Sequence, residues 1–462
     1  MRLTWAQPED LVAHELAQSA AEGRVVAEIA VRWTDGGGDP TAPVSGVGPM
    51  PANPEVRNLA RILLDDLEAL PTPPHPDEPD DLQEIEALWA GPDPMTARPY
   101  ADTRTASLTD RVHGAWLGRA AGCLLGKPVE KIPREGIEEI LRATGRWPLD
   151  AYFTAVGLPA DVSARWPWNR RSAPTSLVEN IAGMPEDDDL NFPILALSLL
   201  EDHGAGFTTD DVARAWLANL PAGRVFTAER AAYRNLLDAR PIPSTATHHN
   251  PFREWIGALI RADVYGWVNP ANPRAAARLA WTDARLSHTR NGVYGAMWVA
   301  GMCASAVATD AADLAGAIGT AIADGLAVVP PTSRLADAVR RGVALGLADM
   351  PVAACLDALH TDYRDLHWVH VLNNAATIAY ALTAGRGDLG TSIAIAVTAG
   401  WDTDSAAATV GGIVGAVRGA TGLPAVWIAP LRDRVATSLP GGDQRSIAEL
   451  ARRTVALVGE VR

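Results

Sequence analysis

Two carboxylates stand two residues apart at Asp402 and Asp404, beside the hydroxyls of Thr403 and Ser405, in the stretch Thr398-Ala-Gly-Trp-Asp-Thr-Asp-Ser405. Long apolar, Ala-rich segments flank it, so charge has been placed inside core-forming sequence, where an unpaired carboxylate costs several kcal/mol. A second acidic run, Glu186-Asp187-Asp188-Asp189, leads into the apolar residues that begin at Phe192. Two readings are open. Asp and Ser are favoured helix N-caps, and oxygen donors of this kind also hold hard divalent cations. If the helices starting near Asn191 and Ser405 pack side by side, both clusters meet at one end of a bundle and together require cations. With no His or Cys beside either cluster, such donors select Mg²⁺, Mn²⁺ or Ca²⁺ over zinc.

The elements that must position these residues read as helical. Thr109 and Asp110 are suited to cap a helix through Val112, Trp116, Ala120 and Leu124. In that helix Gly114, Gly118, Ala121 and Gly122 recur at three- and four-residue spacing, which lets helices pack backbone to backbone. It stops at Gly126-Lys127-Pro128, with Glu130 just beyond. Residues 145 to 176, rich in Trp, Pro and Arg, read as a long surface or site-covering loop. Helical patterns then follow one another: Asp210 to Leu220, Ala228 to Leu237, Pro251 to Val264, Pro273 to Leu286, Val293 to Ala308, Leu314 to Val328, Leu335 to Ala348, Pro351 to Leu359 and Val369 to Leu382. No convincing strand interrupts them, so the expected class is all-α, a multi-helix bundle.

Residues 1 to 107 read as a small N-terminal accessory region, with 108 to 462 as the catalytic domain. A helix is expected from Pro8 to Glu22, a short strand or extended piece from Arg24 to Trp33, and a helix from Val56 to Leu70. Pro71-Thr-Pro-Pro-His-Pro-Asp-Glu-Pro-Asp-Asp reads as a linker, since repeated Pro removes donors and extends the backbone.

A chain of 462 residues with a net charge of −15 disfavours nucleic acid or an anionic membrane as partner. Three dispersed cysteines, Cys123, Cys303 and Cys355, fit a reducing compartment with no disulfide framework. The N-terminus lacks a signal-peptide apolar stretch. The longest apolar run, Gly292 to Ala308, is shorter than the ~18 residues that mark a membrane span. These features lead to the expectation of a cytoplasmic protein.

The motifs carry a resemblance. Asp110-Arg-Val-His-Gly-Ala-Trp-Leu-Gly118 through Gly126-Lys-Pro-Val-Glu130, the acidic run Glu186 to Asp189, the segment Ser287-His-Thr-Arg-Asn-Gly292, and Gly400-Trp-Asp-Thr-Asp-Ser405 with Gly411-Gly-Ile-Val-Gly415 and Pro424-Ala-Val-Trp427 occur in this order. Together they resemble the ADP-ribosylglycohydrolase family, that of dinitrogenase reductase-activating glycohydrolase. The resemblance implies an all-α fold with two divalent cations, Mg²⁺ or Mn²⁺, and hydrolysis of an N- or O-glycosidic bond at a ribose anomeric carbon. It makes Glu186, Asp187, Asp188, Asp402, Asp404 and Ser405 the metal ligands. Glu186 stands where the family usually has Thr, Asp189 replaces a second Thr, and Cys123 stands where Asp is commoner.

Loss of the leaving group from ribose builds oxocarbenium-like charge that nearby carboxylates stabilise while a base activates water. Glu130, with Asp187 or Asp188 as second candidates, is expected to handle that proton. His288, Asn291 and Tyr294 are expected to contact the nucleotide portion, and Asn373, beside His370 and Asn374, is a further contact. The substrate implied is an ADP-ribosylated protein or a small ADP-ribose conjugate. The alternatives are an N-glycosidase of a small nucleoside or nucleotide, and a non-catalytic ADP-ribose-binding regulator.

Overall fold

The computed structural model describes residues 2–89, 106–309 and 313–459. Among these residues helices alternate with loops, and pairing between extended segments is limited to isolated bridges such as Met184 with Val435. The chain is all-α, as its periodicity predicts.

At the centre, helix Ala106–Gly126 runs antiparallel to helix Thr403–Arg418. The glycines of the first meet the backbone of the second in register. A Cβ added at Gly114 would lie 2.3 Å from the Gly415 carbonyl oxygen, at Gly118 2.0 Å from that of Gly411, at Gly122 1.9 Å from that of Ala407, and at Gly126 2.3 Å from that of Thr403. Gly411 and Gly415 are as tightly placed in return, each 2.1 Å from a carbonyl oxygen of the first helix. Dispersion contacts made at this range are forfeited once a side chain separates the backbones. Around this pair lie helices Asp188–His203, Arg290–Ala308 and Leu389–Thr398, with Arg290–Ala308 buried almost throughout.

Several expectations shift. The 24–33 segment is helix Ala27–Asp35, because Ile29 and Trp33, four residues apart, face the core together. The helix anticipated at Pro251 to Val264 is a 3₁₀ turn, Ile256–Arg261, followed by the short helix Asp263–Trp267. Asp110 does not cap the first central helix, which begins upstream at Ala106; its carboxylate instead accepts from Thr421 N at 3.1 Å and Thr421 Oγ1 at 3.0 Å.

The N-terminal residues are bound tightly to the rest, and apolar side chains from both parts join one continuous core. Arg253 is buried between Glu15, at 2.9 Å, and Glu22, at 2.7 Å. The Pro-rich segment is a loop, as expected, but it is pinned. Glu78 pairs with Arg290 and with Arg334 at 2.9 Å, Asp80 accepts from Arg290 N at 2.7 Å, and Tyr294 donates to the Pro79 carbonyl. Trp5 and His14 pack with Phe252, Trp255 and His367 in one aromatic cluster.

Two outcomes follow from this packing. Gly118→Val should cost at least ~3 kcal/mol in urea denaturation, because the atom it meets is backbone and cannot move aside. Gly206→Ala, whose Cβ meets nothing within 4 Å, should change stability by less than ~0.5 kcal/mol. Burial lowers His14 and His370 to about 4 and, with His14 adding repulsion, His367 to about 3, against an ordinary 6.5. The unfolded chain therefore binds more protons in this window, and stability present above pH 6.5 should be lost as pH falls towards 4. Denaturation midpoints at stepped pH read this directly, and His14→Phe should flatten the slope.

Candidate active site

The antiparallel pair brings the end of the first helix against the start of the second. Thr403 Oγ1 donates to the Gly126 carbonyl at 2.9 Å, and Lys127 follows directly. Just before Thr403, Gly400 and Trp401 take left-handed backbone (φ 76° and 65°), and the Trp401 ring stacks on His360 at 4.1 Å. Asp402 then occupies the N-cap position, yet its carboxylate makes no capping hydrogen bond. The capping explanation therefore fails for Asp402.

The upstream cluster opens helix Asp188–His203. Asp187 does cap it: Oδ1 accepts from Asp189 N at 2.9 Å, while Oδ2 pairs with the Lys127 ammonium. Lys127 also donates to the Glu186 carbonyl at 3.3 Å. Asp189 is buried and turned inward. Its Oδ2 accepts from Ser405 Oγ at 3.1 Å, and its Oδ1 pairs at 3.2 Å with Arg119, whose other face holds Asp263 at 2.9 Å. Arg119 lies on the first central helix, so one guanidinium fixes the start of helix Asp188–His203 against it. Removing either partner of such a buried pair typically costs ~3–5 kcal/mol.

The clusters converge on one cleft of about 570 Å³. Glu130, Glu186, Asp187, Asp188, Asp402, Asp404 and Ser405 all line it. Glu130 sits at its edge, where Asn169 Nδ2 donates to Oε2 at 2.6 Å. The negative charge is undercompensated. Burial, then the neighbouring Asp187 and Asp404, push Asp188 well above the carboxylate range; burial, then Asp404 and Glu130, do the same to Asp402. Asp404 is raised to about 7 by burial, Glu130 and Asp187. Asp187 alone is held low: burial would raise it, but Lys127 outweighs burial.

The tightest group of donors at the site is Cys123, Asp187 and Asp189, with one atom of each within 4.8 Å of the others. Cys123, which stands where the family more often has a carboxylate, has its sulfur 3.9 Å from Asp189 Oδ2, with burial raising the thiol and keeping it protonated. Glu186, expected as a ligand, lines the cleft but already has partners. Its Oε1 accepts from Asn191 Nδ2 at 3.2 Å and Ser438 N at 3.1 Å, and its Oε2 pairs with Arg224 at 3.0 Å.

The four expected nucleotide contacts do not line the cleft. His288 is buried, bonded through Nδ1 to Ser287 Oγ at 2.8 Å, and kept neutral by burial and by Arg261. Asn291 bridges Glu254 Oε2 at 2.7 Å and Leu335 N at 2.9 Å, and Tyr294 holds the Pro-rich segment. Asn373 Nδ2 donates to the His367 carbonyl at 3.3 Å. Each bonds within the protein, which is what helical spacing alone could not distinguish from a ligand contact. The cleft wall contains residues that spacing did not single out: Arg170 and Arg171 from the 145–176 loop, Phe226, Trp368, and Thr4 and Trp5 from the N-terminal region. The 145–176 segment, expected as a loop, contains the short helices Ala160–Arg165 and Ala173–Ser176, and it supplies Asn169 as well as these cleft residues.

The site can be set beside known proteins. The profile of the ADP-ribosylglycohydrolase family matches residues 104–461. No curated protein sequence matches the chain. Among solved structures, one titled "ADP-ribosylglycohydrolase-related protein complex" aligns at 21% identity with a TM-score of 0.45, over 78% of this chain and 100% of its own. The profile begins at the central helix that carries Arg119 and runs through both acidic clusters to the C-terminal residues, and on that match the chain belongs to the ADP-ribosylglycohydrolase family.

Proposed function

We propose that this glycohydrolase uses divalent cations held by Asp402, Asp404 and Asp188, with Asp187 as a further donor, to hydrolyse a glycosidic bond at the ribose anomeric carbon of an ADP-ribosyl conjugate. The observation that carries this reading is Asp402: a carboxylate at a helix start, buried among other acids, with no capping bond to satisfy it. Hard oxygen donors with unmatched charge suit Mg²⁺ or Mn²⁺. Ser405 donates to Asp189 and Glu186 pairs with Arg224, both within the lining of the same cleft. Cations bound there supply charge to orient ribose hydroxyls and lower the pKa of water.

The chain's own residues provide the rest. Carboxylates around the anomeric carbon favour the positive charge that develops as the bond breaks. Glu130, oriented by Asn169, takes the proton from the attacking water or returns one to the leaving group. Arg170 and Arg171 offer positive charge for a diphosphate, and the aromatic residues Trp5, Phe226 and Trp368 line the same cleft. The cleft volume lies in the ~300–1,000 Å³ range usual for small-molecule sites.

The test is release of ADP-ribose from ADP-ribosylated arginine, run beside release of free base from nucleosides, each with Mg²⁺ and with EDTA. ADP-ribose release that EDTA abolishes is expected. Asp402→Asn with Asp404→Asn should reduce it by at least ~10³-fold while circular dichroism stays near wild type. Hydrolysis that persists in EDTA overturns the metal requirement; base release alone moves the substrate to nucleosides.

A further inference from the structure

Outside the cleft, a second group of donors joins the N-terminal region to the body of the protein. Asp65 and Glu68 lie one turn apart near the end of helix Pro54–Glu68. Facing them are His248 and His249, which follow the short helix Ser244–Thr247. His248 Nδ1 is 2.7 Å from Glu68 Oε2, and His249 Nε2 is 2.8 Å from Asp65 Oδ1 and 3.8 Å from the same Glu68 oxygen. One donor atom from each of Glu68, His248 and His249 falls within 4.8 Å of the other two.

The histidine pair is held in place before any ligand arrives. His249 has left-handed backbone (φ 46°), a conformation that persists only where surrounding structure enforces it. Arg234 supplies that restraint, donating to the carbonyls of both His248, at 3.0 Å, and His249, at 3.1 Å. Asn235 adds a further bond to the His248 carbonyl at 2.8 Å. The rings stack with centroids 4.0 Å apart.

We propose that Asp65, Glu68, His248 and His249 form a structural site for a zinc-class divalent cation that staples helix Pro54–Glu68 to the 244–249 segment. Two neutral imidazoles and two carboxylates make a mixed nitrogen and oxygen set that suits Zn²⁺ or Co²⁺ in tetrahedral geometry and is poorer for Mg²⁺. A dication neutralises both carboxylates. None of the four residues lines the cleft, so the site is separate from the proposed chemistry. Because the donors come from regions about 180 residues apart, only the folded chain assembles them, and bound metal stabilises it.

The test is a Co²⁺ titration of the chelator-stripped full-length chain, followed by the visible d–d bands of tetrahedral cobalt, with Zn²⁺ competition. Asp402→Asn/Asp404→Asn serves as background, so that the cleft contributes little. One equivalent of tetrahedral Co²⁺, displaced by Zn²⁺, is expected, and Zn²⁺ should raise the thermal midpoint by a few degrees. His249→Gln should abolish the bands. Glu68→Gln, at a half-exposed position that leaves the fold intact, should weaken binding at least tenfold. Absence of tetrahedral bands, or bands that survive both His249→Gln and Glu68→Gln, overturns the proposal.

Discussion

The site depends on the distance between two helices. Gly114, Gly118, Gly122 and Gly126 let helix Ala106–Gly126 lie against the backbone of helix Thr403–Arg418, and each contact is too close for a side chain. That register puts Gly126 against Thr403, so Lys127 and Glu130 at the end of one helix face Asp402 and Asp404 at the start of the other. The same first helix carries Arg119, which grips Asp189 and Asp263. Packing and charge placement are thus set by one element: its small residues fix the spacing, and its arginine fixes where the second acidic cluster begins.

Within that frame the electrostatics are one-sided. Lys127 answers Asp187, and Arg119 answers Asp189, but Asp188, Asp402 and Asp404 share a cleft with too little positive charge, and their carboxyls are pushed upward by burial and by one another. A fold built for stability alone would place apolar residues or paired ions here. The proposed cations resolve this charge. The N-terminal region, fastened by Arg253, Glu78 and the aromatic cluster, brings Trp5 to the same cleft, so it contributes to the wall as well as to stability.

Much of this was legible in the sequence because it rests on local pattern. Helical periodicity marked most elements, small residues at i, i+4 marked one helix of the close pair but not its partner, and acidic runs before apolar helices marked the two halves of the cleft. What could not be read was anything decided by a distant partner. Ile29 and Trp33 lie in a stretch with β-branched residues, yet a shared core face makes it helix. His288, Asn291 and Tyr294 are polar residues at helical spacing, and only their partners in the fold show that they hold the structure. Glu186 gives no sign in the sequence of the partners Arg224, Asn191 and Ser438 that gather around it. Lys127, which looked like a helix stop, and Trp5, far outside the family match, become site residues only in three dimensions.

The central claim is that the carboxylates gathered by the close helix pair hold divalent cation. Anomalous diffraction from crystals of the full chain soaked in Mn²⁺ tests it most directly. Manganese in the cleft, within ~2.0–2.6 Å of Asp402, Asp404 and either Asp187 or Asp188, is predicted. Well-ordered crystals with no anomalous density in the cleft, and Lys127 still paired to Asp187, would contradict it.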